Sequence, residues 1–196
     1  YHTKPEYNEV LSDYHNWLVG LGYEPDKDSD GTMVFSRPFA AALPVEHTKA
    51  TYLGDRAAEF IDRNKDNPFV LTVNFFEPHT PHLGPLDDMY DPDELPQSPV
   101  FMKVPPDNAS MLHRLMARDY GELKSSEIPP KSPLDNTNPL KAGERRTPGE
   151  DAIRKKQASY YGLVTLMDRA VGKILDAIDD AGVAENTIIV FTSEHG

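Results

Sequence analysis

Three histidines and two glutamates stand where two apolar runs end. Glu77-Pro78-His79-Thr80-Pro81-His82 follows the run at 69–76, and Ser193-Glu194-His195-Gly196 follows the run at 187–191. Histidine beside carboxylate suits a hard or borderline divalent cation, the carboxylate supplying charge and the imidazole a neutral nitrogen. An imidazole also donates to an anionic oxygen or transfers a proton near neutral pH. In a parallel sheet both turns emerge at the same edge, so His79 or His82 would face Glu194 and His195 across one cleft. Plainer readings compete with this one. Pro78 and Pro81 restrict the backbone around His79, which suits a rigid surface turn as well as a held imidazole. His82 reads more readily as a turn residue, and the adjacent Glu194 and His195 diverge unless the chain turns, as Gly196 permits.

The remaining candidates read as structural or solvated. His15 falls on the polar side of a first helix, His47 near a helix start and His113 in irregular chain. Asp87, Asp88, Asp91, Asp93 and Glu94 lack the glycine and terminal glutamate of an EF-hand loop and read as a solvated acidic stretch.

The elements that must position these residues follow from apolar spacing. Tyr7, Val10, Leu11, Tyr14, Trp17 and Leu18 recur at steps of three and four, predicting a helix over 6–20. A second helix is predicted over 48–64, with Tyr52, Ala57, Phe60 and Ile61 on one face. Residues 69–76 (Phe-Val-Leu-Thr-Val-Asn-Phe-Phe) and 187–191 (Thr-Ile-Ile-Val-Phe) predict strands buried on both faces. Between them a third helix is predicted over 150–180, its apolar face carrying Tyr160, Val164, Met167, Val171, Ile174 and Ile178. Helix followed by buried strand is half of a βαβ unit, so the expected fold is α/β, mainly a parallel sheet flanked by helices, with ligands outside the carboxyl ends of the strands. Residues 83–148 are rich in proline and polar side chains and predict a long irregular excursion, with one short helix near 110–118.

Composition narrows the function classes. The 196 residues are 38% hydrophobic and 27% charged, enough for one domain with a core, and the 18 prolines agree with much irregular chain. A net charge of -12 without a Lys/Arg cluster argues against nucleic acid as partner. A small anionic substrate stays compatible if a bound cation supplies local positive charge. With no cysteine, neither disulfides nor a thiol nucleophile can come from these residues. No apolar run is long enough to span a membrane, and no leader pattern opens the sequence.

Taken in order, the motifs resemble the sulfatase family of the alkaline phosphatase superfamily. They are Gly54-Asp55-Arg56-Ala57 with Phe60-Ile61, Asn67-Pro68-Phe69, Pro78-His79-Thr80-Pro81, Tyr160-Tyr161-Gly162 with Met167-Asp168 and Val171-Gly172, and Phe191-Thr192-Ser193-Glu194-His195-Gly196. The resemblance implies an alkaline phosphatase-like fold, with a metal, usually calcium, at the carboxyl edge of the sheet. It implies that His79 contacts the sulfate group as a catalytic and substrate-binding residue, with His82 as the second substrate-binding candidate. Glu194 stands where the family usually has an aspartate metal ligand, and His195 where it has Asn or His beside that ligand. The longer Glu194 keeps the charge and moves the carboxylate by one methylene.

Two further parts of the family pattern do not occur in these residues: the paired aspartates of the first strand, and the Cys/Ser-x-Pro-x-Arg motif that yields the formylglycine nucleophile. The family's Lys-Trp-His motif is absent as well. The chain is therefore expected to be an internal piece of one catalytic domain, inactive alone, within a sulfuric ester hydrolase. A phosphoester or phosphonate ester hydrolase of the same superfamily is the nearest alternative, and a non-catalytic relative that binds an anion or glycan is the other. The compartment is open, periplasmic or secreted if a signal peptide lies upstream.

Overall fold

The computed structural model describes residues 11–27, 33–80, 82–101, 103, 105–114 and 150–194. Contacts divide the chain into two compact units, Tyr1–Met89 with Ser159–Gly196, and Tyr90–Ala158.

In the first unit, α1 spans Asp13–Gly20, β1 Asp26–Lys27, β2 Met33–Val34, α2 Arg37–Ala41 and α3 Lys49–Asn64. Each helix starts on a hydroxyl cap: Ser12 accepts from His15 N, Ser36 from Phe39 N and Thr48 from Thr51 N. Such caps satisfy amides that have no partner inside the helix. The 3-10 turn Val45–His47 leads into α3, where Thr51 Oγ1 donates to Val45 O at 2.7 Å. α1 is shorter than the helix predicted over 6–20, and residues 6–10 lie outside the described residues.

α3 matches its predicted span, and its buried residues Ala50, Thr51, Gly54, Ala57 and Ile61 follow the helical period. The long helix, α4, spans Glu150–Asp180, also as predicted, and ends at Gly182, whose φ of 69° is the left-handed region that favours glycine. Val183 N there donates to Ile178 O at 3.2 Å. The core joins Ala50 of α3 to Leu163, Leu166 and Ala170 of α4, with Val45, Phe75 and Leu86 packed against them. The deepest line on α4 thus runs through Leu163, Leu166 and Ala170, while Tyr160, Val164 and Met167 of the predicted face are half-buried. Small residues decide this, because Gly54 and Ala170 let the two helices approach backbone to backbone. Lys173 bridges to Asp55 at 2.6 Å across the same pair, an exposed contact worth little.

The predicted parallel sheet does not form among the described residues. Their one sheet is the antiparallel pair β1–β2, in register Asp26↔Val34 and Lys27↔Met33. Residues 69–76 carry no ladder, and neither do residues 187–191, each assigned no regular structure. The reason is physical: extended backbone becomes a strand only when a neighbour supplies the ladder. One side of the first run is nevertheless covered, since Phe69, Leu71, Val73 and Phe75 are half-buried while Val70, Thr72, Asn74 and Phe76 are exposed. Val70 is 95% exposed, and Ile188 in the second run 91%.

In the second unit, turns dominate up to a helical turn at 111–114, capped by Ser110 Oγ accepting from His113 N. The first residues of α4 belong to this unit, where Gln157 Nε2 donates to Pro96 O and Arg154 lies over the Phe101 ring. The rest of the predicted excursion, 115–148, lies outside the described residues.

Candidate functional site

Phe75 anchors the end of the 69–76 run against the α3–α4 core, and the Glu77–Pro78 bond that follows is cis. His79 N donates to Phe76 O at 3.1 Å, and the Phe76 and His79 rings lie tilted at 32° with centroids 4.6 Å apart. His79 itself is exposed, and its Nδ1 lies 2.7 Å from Thr80 O. A carbonyl oxygen only accepts, so Nδ1 carries the proton in that contact and Nε2 is the nitrogen turned to other use. Neutral, Nε2 accepts a proton; protonated, it donates to an anionic oxygen.

His82 is placed differently. It is half-buried and meets Tyr160 of α4 edge to face, with centroids 5.3 Å apart and planes at 88°. Tyr160 is half-buried in turn, stacking edge-on with Tyr161. Nearby, Asp87 accepts from Gly84 N at 2.9 Å and is drawn to Ser159; burial, its largest influence, raises its carboxyl above the usual range. Glu194 is exposed at the end of the second run, and His195 lies outside the described residues.

Among the described residues no three His, Asp or Glu side chains gather as a cation would require. Calcium takes six to eight oxygens, and magnesium or zinc also need several donors. The described residues therefore do not make a metal centre by themselves, and Glu194 supplies one carboxylate at most.

Sequence reasoning missed the surroundings of the turn. Glu77 is half-buried, and its Oε2 is shielded from solvent with no hydrogen-bond donor among the described residues. It lies in the field of Tyr14, whose phenol is pushed well above its usual range by burial first, then by Glu77 and Tyr23. Tyr14 OH donates to His47 O at 2.7 Å, and Tyr23 OH bonds His47 Nδ1 at 2.7 Å, so His47 is a joint between α1 and the start of α3. His15 is buried against Phe35 and does not lie on a polar face. A charged residue ending an apolar run was the available signal for Glu77. For His15 there was none, because α1 packs on more than one side.

No helix among the described residues is long and apolar enough to cross a membrane. The family profile described as Sulfatase matches residues 5–196. A multifunctional alkaline phosphatase superfamily protein, PehA, of Trinickia caryophylli is 25% identical over 196 residues, 95% of this chain and 36% of its own length. Iduronate 2-sulfatase of Mus musculus is 28% identical over 72% of this chain and 24% of its own. An arylsulfatase of Clostridium perfringens is 27% identical over 68% of this chain and 23% of its own. The chain thus spans between about a quarter and about a third of the length of these relatives. With the motifs around His79 and Glu194 inside the matched region, the chain belongs to the sulfatase family of the alkaline phosphatase superfamily.

Proposed function

We propose that the complete protein hydrolyses a sulfate ester, and that this chain supplies the His79 side of its site. The observation that carries the reading is the hydrogen-bonded turn at 76–79, which commits Nδ1 of His79 to the chain and presents an exposed imidazole whose Nε2, when the ring is protonated, donates to a sulfate oxygen. The names of the relatives, iduronate 2-sulfatase and arylsulfatase, support the same chemistry. His82, packed on Tyr160, would be the second substrate contact.

The nucleophile in this reading is a formylglycine supplied by other residues of the complete protein, since these contain no cysteine and no Ser-x-Pro-x-Arg sequence. A divalent cation, calcium by the family's habit, would polarise sulfate oxygens as a Lewis acid. Glu194 and His195 are its proposed contacts here, and the remaining donors would come from elsewhere in one catalytic domain of alkaline phosphatase-like α/β fold. The 196 residues alone would not turn over substrate.

Intact mass and metal analysis of the complete protein test this. One formylglycine and about one calcium per chain, with activity lost on chelation and restored by calcium, are the expected results. An unmodified serine or threonine nucleophile with two metals would favour phosphoester chemistry. Ligand binding without turnover in a protein lacking any such nucleophile would favour a non-catalytic glycan-binding relative.

A further inference from the structure

Phe76 and His79 occupy the two ends of one turn, closed by the bond from His79 N to Phe76 O at 3.1 Å. Their rings meet with centroids 4.6 Å apart and planes tilted at 32°, nearer parallel than perpendicular and at a separation that aromatic pairs favour. The neighbouring Phe75 packs against the α3–α4 core and holds the backbone here. The Phe76 ring itself is 44% exposed, and one face of it meets the imidazole.

His79 needs such a neighbour because it is exposed. An imidazole turns about two side-chain torsions, and the second, next to the flat ring, is broad and not confined to narrow wells. The Nδ1 proton given to Thr80 O at 2.7 Å fixes one direction in the ring and leaves it free to rock about that line. A flat surface against the imidazole removes the rocking, and with it the swing of the Nε2 direction. Reaction rates respond steeply to such placement, since an error of about 1 Å can cost about a hundredfold.

We infer that Phe76 is a positioning residue of the site: its ring sets the plane of the His79 imidazole and so aims Nε2 at the sulfate ester; the inference rests on the sulfatase reading of His79. Phe76 touches no reacting atom, and its effect on turnover passes through His79. Apolar bulk alone does not supply this, because a branched aliphatic side chain has no flat face to offer.

The test is a double-mutant cycle on the complete protein with 4-nitrophenyl sulfate, using Phe76→Leu, His79→Ala and the two together. Phe76→Leu is expected to lower kcat/KM about tenfold, whereas Phe76→Tyr, which keeps the ring face, stays within about twofold of the unaltered protein. Added to His79→Ala, Phe76→Leu is expected to change the remaining activity by less than about twofold, because the group it positions is gone. A Phe76→Leu loss that persists in full in the His79→Ala background would mark a merely structural role and overturn the inference. So would a Phe76→Leu protein as active as the unaltered one, or a Phe76→Tyr protein as impaired as Phe76→Leu. If Phe76→Leu does not fold, as judged by its thermal unfolding, Phe76→Met takes its place in the same cycle. A protein that does not hydrolyse the sulfate, or whose hydrolysis is indifferent to His79→Ala, defeats the sulfatase reading itself, a result distinct from a failed cycle.

Discussion

Gly162 of α4 lies directly against the carbonyl of Leu86, so closely that a Cβ at that position has no room. The contact holds the stretch after His82 on the helix, next to the point where Leu163 approaches Gly84. Because the obstacle is backbone, it cannot move aside as a flexible side chain would. Gly162→Ala is expected to destabilise by about 2 kcal/mol. Gly172→Ala is the control: nothing lies within 4 Å of its added Cβ, and the gain in helix propensity should stabilise by about 0.5–1 kcal/mol. Thermal unfolding of the two variants should therefore shift in opposite directions; a fall in both would contradict the packing described.

The α3 cap and core give a second pair. Ile61 is 1% exposed, and truncating it to alanine should cost about 2–4 kcal/mol. Thr48→Ala removes the cap of α3 and should cost about 1 kcal/mol. Urea unfolding midpoints check the order, which would be wrong if Thr48→Ala proved the more damaging.

Tyr14 sets a pH dependence. Its folded-state pKa lies above the ordinary value near 10, through burial, Glu77 and Tyr23 in that order. The folded protein therefore keeps a proton that the unfolded chain releases, so this contribution is intact below about pH 10 and is lost as pH rises beyond it. Tyr14→Phe should lower stability at pH 7 by about 1 kcal/mol, from the lost bond to His47, and flatten the decline above pH 10. Melting temperatures from pH 7 to 11 read both effects; an equally steep alkaline decline in the variant would sink the assignment.

Residues 69–76 and 187–191 present apolar, uncharged, unladdered backbone, a ready template for pairing. In the complete protein, amide exchange at 70–75 and 188–191 should be slow, as in a ladder, and in the 196-residue chain alone fast. The isolated chain should also self-associate, less so with Val70→Lys and Ile188→Lys. Fast exchange in the complete protein would show that these runs are not strands there either.

How much of this was legible follows from which interactions are local. α3 and α4 were readable because cap, apolar period and the terminating Gly182 all lie within their own sequence. The two strands were readable as apolar runs only, since a ladder depends on a distant neighbour that their own residues do not specify. The offset of the buried face of α4 toward Leu163 and Ala170 depends on the close approach of α3, which no single-helix pattern encodes. At the site, the prolines and histidines of the turn marked His79, whereas the exposure of His79 and the packing of His82 against Tyr160 required the tertiary structure. The shielded oxygen of Glu77, which lies in the field of Tyr14, likewise required the tertiary structure.

The most direct test of the central claim is hydrolysis of 4-nitrophenyl sulfate and 4-nitrophenyl phosphate by the complete protein and by His79→Ala. The sulfatase account predicts that the sulfate is the better substrate and that His79→Ala lowers its kcat/KM by about a hundredfold, in the range typical of a lost acid or anion contact. Faster cleavage of the phosphate, or sulfate hydrolysis that is indifferent to His79→Ala, would contradict it.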